Sequence, residues 1–241
     1  MKLNESRVTQ AEAQRPATPA PKRASPSPEI PPEFQAAAIL ELPEAALIKI
    51  LEDPQATVFQ KAKACQRLAT IGTGRAVPAL AALLADPQLS HYARFGLEPN
   101  PDPAAAEALR TALRKVKGNL LVGVINSIGA RRDPQAVDAL ARLVGTTDPA
   151  AAQAAAAALG RIGGLRAARI LEDALRRTRG EVRSTLAAAC LVCAESLLAQ
   201  GERERGMALY QRLMRPDIPK PVRMAAMHSA FLAENSLPGE R

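Results

Sequence analysis

One eight-residue segment occurs twice. Ala76-Val77-Pro78-Ala79-Leu80-Ala81-Ala82-Leu83 returns as Ala136-Val137-Asp138-Ala139-Leu140-Ala141-Arg142-Leu143, 60 residues further on. That offset fits two units of roughly 30 residues, and a chain repeating at such an interval must stack like units, because one unit cannot bury its own apolar stripe.

Turn signals fall where such units would begin and end. Asp53-Pro54, Asp86-Pro87, Asp102-Pro103, Asp133-Pro134 and Asp148-Pro149 each join an N-capping carboxylate to a proline suited to the first helical position. Ile71-Gly72, Ile128-Gly129 and Ile162-Gly163 close helical patterns, with glycine expected in the left-handed conformation. Between these marks apolar residues keep helical spacing, as in Val58, Ala62, Cys65 and Ala69 or Val137, Leu140, Leu143 and Val144. The spacing predicts helix pairs near 43–53/57–71, 75–85/88–97, 103–117/119–129, 134–145/149–162, 166–178/181–200 and 203–214/219–234. No alternating run of β-branched residues competes with them.

Composition agrees with close helix packing. The chain has 50 alanines, no Trp, 2 Tyr and 4 Phe, which leaves few side chains for a β-sandwich core or a base-stacking platform. Seven of its 20 prolines lie within the first 32 residues. Residues 1–33 therefore read as an extended, disordered Pro/Ala/Ser-rich arm, and 34–241 as the folded array. The arm has no apolar h-region, so a cytoplasmic location is the default expectation, with export open if the true start lies elsewhere. No window is expected to approach the length and apolarity of a membrane span.

These residues resemble the HEAT-repeat family. The resemblance rests on the Ala-Val-x-Ala-Leu-x-x-Leu first helices, the Asp-Pro turns, and second helices ending Leu-x-x-Ile-Gly, as at Leu68 to Gly72 and Leu159 to Gly163. Val182-Arg183 and Val222-Arg223 after turns add to it. It covers about 43–200 well and 203–235 loosely; the latter is an atypical capping pair that is equally tetratricopeptide-like. The resemblance implies a right-handed, armadillo-like α-solenoid of about five to six antiparallel pairs, a family that supplies scaffolds and only rarely catalysis.

Sites are few. Cys190-Leu-Val-Cys193 has redox spacing but sits mid-helix, where no helix N-terminus stabilises a thiolate, so both thiols, like Cys65, are expected to fill core. His91, Tyr92 and Arg94 form the one place where His, aromatic and Arg residues meet, a candidate partner-binding edge beside Phe95. Asn126, in an otherwise apolar helix, is expected to bond to an adjacent backbone across a repeat seam, with Arg131 and Arg132 at the following turn. Arg161, Arg166, Arg169, Arg176, Arg177, Arg179 and Arg183 crowd the second half, and repeat geometry could align them into a ridge.

The formal net charge is +8, which admits anionic partners. No phosphate loop, zinc motif, nucleophile elbow or dinucleotide fingerprint occurs, and two histidines leave little general acid–base chemistry. The expectation is a monomeric, noncatalytic protein-interaction scaffold without cofactor or metal. The alternative is nonspecific nucleic-acid or polyanion binding through the Arg ridge, with Arg169 and Arg176 as its test positions. A weaker third is support for an enzyme encoded elsewhere.

Overall fold

Helical spacing becomes helix throughout residues 36–235, the part of the chain that the computed structural model describes. A short α1 (Ala36–Leu40) precedes α2 (Glu44–Glu52) and α3 (Val58–Ile71), α4 (Val77–Ala82) and α5 (Ser90–Leu97), and α6 (Pro103–Ala112) and α7 (Gly118–Ala130). Then follow α8 (Val137–Val144) and α9 (Pro149–Ile162), α10 (Gly164–Arg177) and α11 (Glu181–Ala199), and α12 (Arg203–Leu213) and α13 (Lys220–Asn235). All six expected pairs are present, and the described residues contain no strand. The expected arm, 1–33, lies outside the described residues.

The duplicated segments fold alike. Each opens with one 3₁₀ turn, Gly74–Ala76 or Pro134–Ala136, capped by the side chain of Thr73 or Asp133. Ala76 and Ala136 are fully buried, as are Leu80 and Leu140 one turn into the helix. The two occurrences are thus structural equivalents separated by two pairs.

Second helices stack in order, α3 on α5, α5 on α7, α7 on α9, α9 on α11 and α11 on α13, and one continuous core runs beneath them. Alanine makes the central crossings close: Ala155, Ala156 and Ala158 of α9 have no exposed surface. Burial of such small side chains favours short interaxial distances, and the favourable energy comes from many tight contacts.

Three of the five Asp-Pro pairs cap as expected: Asp102 accepts from Ala104 N, Asp133 from Gln135 N, and Asp148 from Ala150 N and Ala151 N. The other two do not start helices. Asp53 and Asp86 hold turns through Gln55 N and through Gln88 N with Leu89 N, and the helices begin later. For α3 a better cap wins: Thr57 and Gln60 form a reciprocal capping box at 2.8 and 3.2 Å.

The glycines also correct expectation. Of the three expected terminators only Gly163 takes a positive φ, at 71°, whereas Gly72 is extended at −67° and Gly129 lies inside α7. At 129 the need is proximity and not backbone freedom, since a Cβ there would stand 2.9 Å from the Ala158 Cα.

A third correction concerns apolarity. Val182–Ala199 reaches a mean hydropathy of 1.5 over 18 residues, long and apolar enough to cross a membrane by length and composition. In the fold this segment is α11, packed against α9, α10, α12 and α13, with Leu186, Ala187, Cys190 and Ala194 fully buried. Helices enclosed by neighbours on most sides lose the polar half of their periodicity.

Candidate functional site

Second helices place two kinds of side chain at the repeat seams, one turned inward and one outward. Inward, Arg131 at the end of α7 donates from Nη1 to the carbonyls of Leu97, Glu98 and Asn100 at 2.7, 2.8 and 2.6 Å, closing the C-terminus of α5. Arg94 of α5 donates to Gly123 O and Ser127 Oγ, both at 3.2 Å, and Ser127 Oγ donates to Glu98 Oε1 at 2.6 Å. Burial lowers the Arg94 pKa, and the nearby Glu98 charge opposes that shift. Buried Asn100 donates to Gly72 O and Thr73 O at 3.3 and 3.0 Å, joining the turn after pair two to the turn after pair one. The Nη1 groups of Arg94 and Arg131 are therefore engaged within the array, while the Nε of each is buried without a hydrogen-bond partner among the described residues.

Outward, every large hydrophobic side chain left exposed among the described residues lies on a second helix. Val58 is on α3, Tyr92 and Phe95 on α5, Val192 on α11, and Met224, Met227, Phe231 and Leu232 on α13. Phe95 is 50% and Phe231 62% exposed, values unusual for aromatic side chains in a folded core. His91 packs edge-on against Tyr92, with ring centroids 5.5 Å apart. Asn126 is exposed on α7 and does not bond to a neighbouring backbone; its Oδ1 accepts from Arg161 Nη2 of α9 at 3.4 Å. The seam is crossed, as expected, but by two side chains on the open face.

The α5 edge was visible in the sequence as an aromatic beside His91. The α13 stripe was missed, although Met224, Met227 and Phe231 follow helical spacing on the side opposite buried Ala226 and Ala230.

First helices carry charge instead. Arg166 on α10 pairs with Asp138 on α8 at 2.6 Å, Arg176 pairs with Asp173, and Arg212 on α12 with Glu172 on α10. Arg169 is exposed on α10, and Arg132 is exposed just after α7 with a φ of 51°. Arg166, Arg176 and Arg212 are thus each held by a carboxylate, on a neighbouring first helix or, for Arg176, on α10 itself. Arg176 lines a cavity between α10 and α12, away from Arg132 in sequence and in pair.

Cys65, Cys190 and Cys193 are fully buried and unbridged. Burial pushes the Cys65 thiol up to about 12 and, with the Glu172 charge adding, the Cys193 thiol up to about 12; Cys190 is raised by the same burial and by Cys193 and Glu172. Such thiols are poor nucleophiles at neutral pH. Among the described residues no three His, Cys, Asp or Glu side chains gather as a metal site.

The sequence of residues 106–191 matches the family model for HEAT repeats. The fold is similar to the crystal structure of an engineered protein, with 20% sequence identity over 79% of this chain and 96% of the other and a TM-score of 0.45. No curated protein matches the chain.

Proposed function

Starting from a HEAT-repeat array, we propose that the chain is a noncatalytic scaffold that binds a protein partner along the face of its second helices. The observation that carries this is the confinement of exposed large hydrophobics to those helices. Protein interfaces are centred on desolvated aromatic and methionine side chains within a polar rim. Tyr92 and Phe95 with His91, and Met224, Met227 and Phe231, supply two such centres; Asn126 and Arg161 lie on helices between them. A repeat array holds these groups on rigid elements, so little side-chain or loop ordering is lost on association. Arg132 is a rim contact in this proposal, Arg169 on first helix α10 lies outside the interface, and Arg94 and Arg131 act by fixing α5 against α7.

The test is capture of partners on the immobilised chain, compared with a Tyr92→Asp, Phe95→Asp, Met227→Asp variant and with Arg169→Asp. Specific captures should vanish with the first variant, survive the second, and persist as salt rises from about 50 to about 200 mM. A nucleic-acid reading requires the reverse: loss with Arg169→Asp and steep weakening with salt.

A further inference from the structure

We propose that the cavity between α10 and α12 is a second, separate binding site, and that it takes an acidic peptide segment carrying one aliphatic side chain. The cavity has a volume of about 830 Å³, within the range of sites that enclose a ligand. It exists because α10 and α12 barely meet: both pack on α11, and α12 seats Gly206 so tightly against Leu198 and Ala194 of α11 that no Cβ would fit without a shift. The turns at 178–180 and 214–219 close its ends.

Its floor is aliphatic. Leu175, Leu209, Leu213 and Ile218 all present buried side chains there. Its walls are guanidinium groups: Arg176, Arg179, Arg183, Arg212 and Arg215, against the carboxylates of Glu172 and Asp217. That leaves an excess of three positive charges around an apolar base.

The five arginines are not equivalent. Arg183 is structural: it donates to Leu175 O and Thr178 O at 2.6 and 3.1 Å, capping α10, and pairs with Asp217 at 2.6 Å. Glu172, itself largely buried, anchors Arg212. Arg215 reaches Asp217 only at 3.4 Å and remains 71% exposed, and Arg179 is exposed with no ion pair among the described residues. Arg179 and Arg215 are therefore exposed and the least tightly held of the five, and the groups placed to meet an incoming anion.

Charge and shape favour one occupant. Guanidinium forks bind carboxylates in a bidentate manner, and an apolar floor of leucine and isoleucine rewards a side chain of similar kind. No aromatic residue lines the cavity, so it offers no stacking surface to a nucleobase. A phosphate backbone would also have to run past Asp217 and Glu172, whereas separate carboxylates on a peptide can be placed between them. The site is independent of the second-helix face, since none of its lining residues belongs to that apolar set.

The test is fluorescence anisotropy on the full chain with a fluorescein-labelled peptide, Asp-Glu-Asp-Leu-Asp-Glu-Asp. Saturable binding is expected, falling by about tenfold or more with Arg179→Glu plus Arg215→Glu, since each swap turns an attraction into a repulsion. Replacing the peptide's leucine by serine should weaken binding by about fivefold or more through lost apolar burial, a comparison that needs no change to the protein. The Phe95→Asp, Phe231→Asp variant should bind the peptide as tightly as the parent, which separates this site from the scaffold face. Absent or unsaturable peptide binding, binding indifferent to both the arginine swaps and the leucine, or displacement of the peptide by lower concentrations of oligothymidylate than of unlabelled peptide would each overturn the proposal.

Discussion

Gly129 and Ala158 meet where α7 crosses α9, so closely that a Cβ on Gly129 would stand 2.9 Å from the Ala158 Cα. One repeat later Gly160 and Ala189 meet in the same way where α9 crosses α11, with 2.7 Å left between such a Cβ and the Ala189 carbonyl oxygen. Glycine in a helix interior ordinarily costs about 1 kcal/mol relative to alanine. At Gly160 the sign should reverse: Gly160→Ala is expected to destabilise by about 2 kcal/mol, the usual scale of overpacking against backbone that cannot yield. Gly145→Ala is the control, because its nearest neighbour is at 3.9 Å; it should change stability by less than about 0.5 kcal/mol. Urea unfolding of the two variants measures the difference.

Arg132 should be better as glycine. Asp133 N donates to Ile128 O at 3.3 Å and Arg132 N to Gly129 O at 3.1 Å, the paired bonds of a Schellman ending, with Arg132 at the left-handed position. The same ending closes α11, where Gly201 fills that position with a φ of 84°. A β-carbon in this conformation costs about 1–2 kcal/mol, partly offset by the larger backbone entropy of unfolded glycine. Arg132→Gly is expected to raise stability by about 0.5–1 kcal/mol, read as an upward shift in thermal midpoint.

Arg131 lies one residue earlier and has the opposite expectation. Its Nη1 serves three carbonyls that end α5, so Arg131→Ala leaves them without a partner in a half-buried seam. The cost should be about 2–3 kcal/mol, the scale for a charged donor lost from buried acceptors. Arg131→Lys should recover little of it, because an ammonium lacks the planar reach of the guanidinium. A charge-only role would instead be restored fully by lysine in the same denaturation series.

All three thiols should resist alkylation in the native protein at pH 8 and react together once it unfolds. Burial raises each thiol above its ordinary value of 9.0. Their neutral form is the one the fold keeps, so stability is fully present below pH 9 and falls as pH rises from there toward about 12, where the unfolded chain ionises and the folded chain does not. Denaturation midpoints at pH 7.5 and at about pH 10 should differ more for the parent than for a Cys65→Ala, Cys193→Ala variant.

The helix pairs were legible because apolar spacing, Asp-Pro caps and the Ala76 and Ala136 segments all encode local geometry. What stayed hidden was relational. Gly129 looks like a helix terminator until Ala158 is set against it, and Asn126 looks like a buried amide until Arg161 arrives from α9. The α10–α12 cavity could not be read from the arginine run, since it depends on how far α12 stands from α10 and on Leu209, Leu213 and Ile218 brought in from the following pair. The exposed side of α13 was concealed for a simpler reason: Met224, Met227 and Phe231 obey the period of a core stripe, and periodicity does not say which of two stripes finds a neighbour.

The most direct measurement is photo-crosslinking with p-benzoylphenylalanine placed singly at Phe95, Phe231, Arg142 or Arg169 in extract of the cells that make the protein. A scaffold that binds through its second helices should give discrete crosslinked partners from the Phe95 and Phe231 positions, lost on adding Tyr92→Asp and Met227→Asp, and none from the two first-helix positions. Discrete partners from Arg142 and Arg169 with nothing from Phe95 and Phe231 would contradict it.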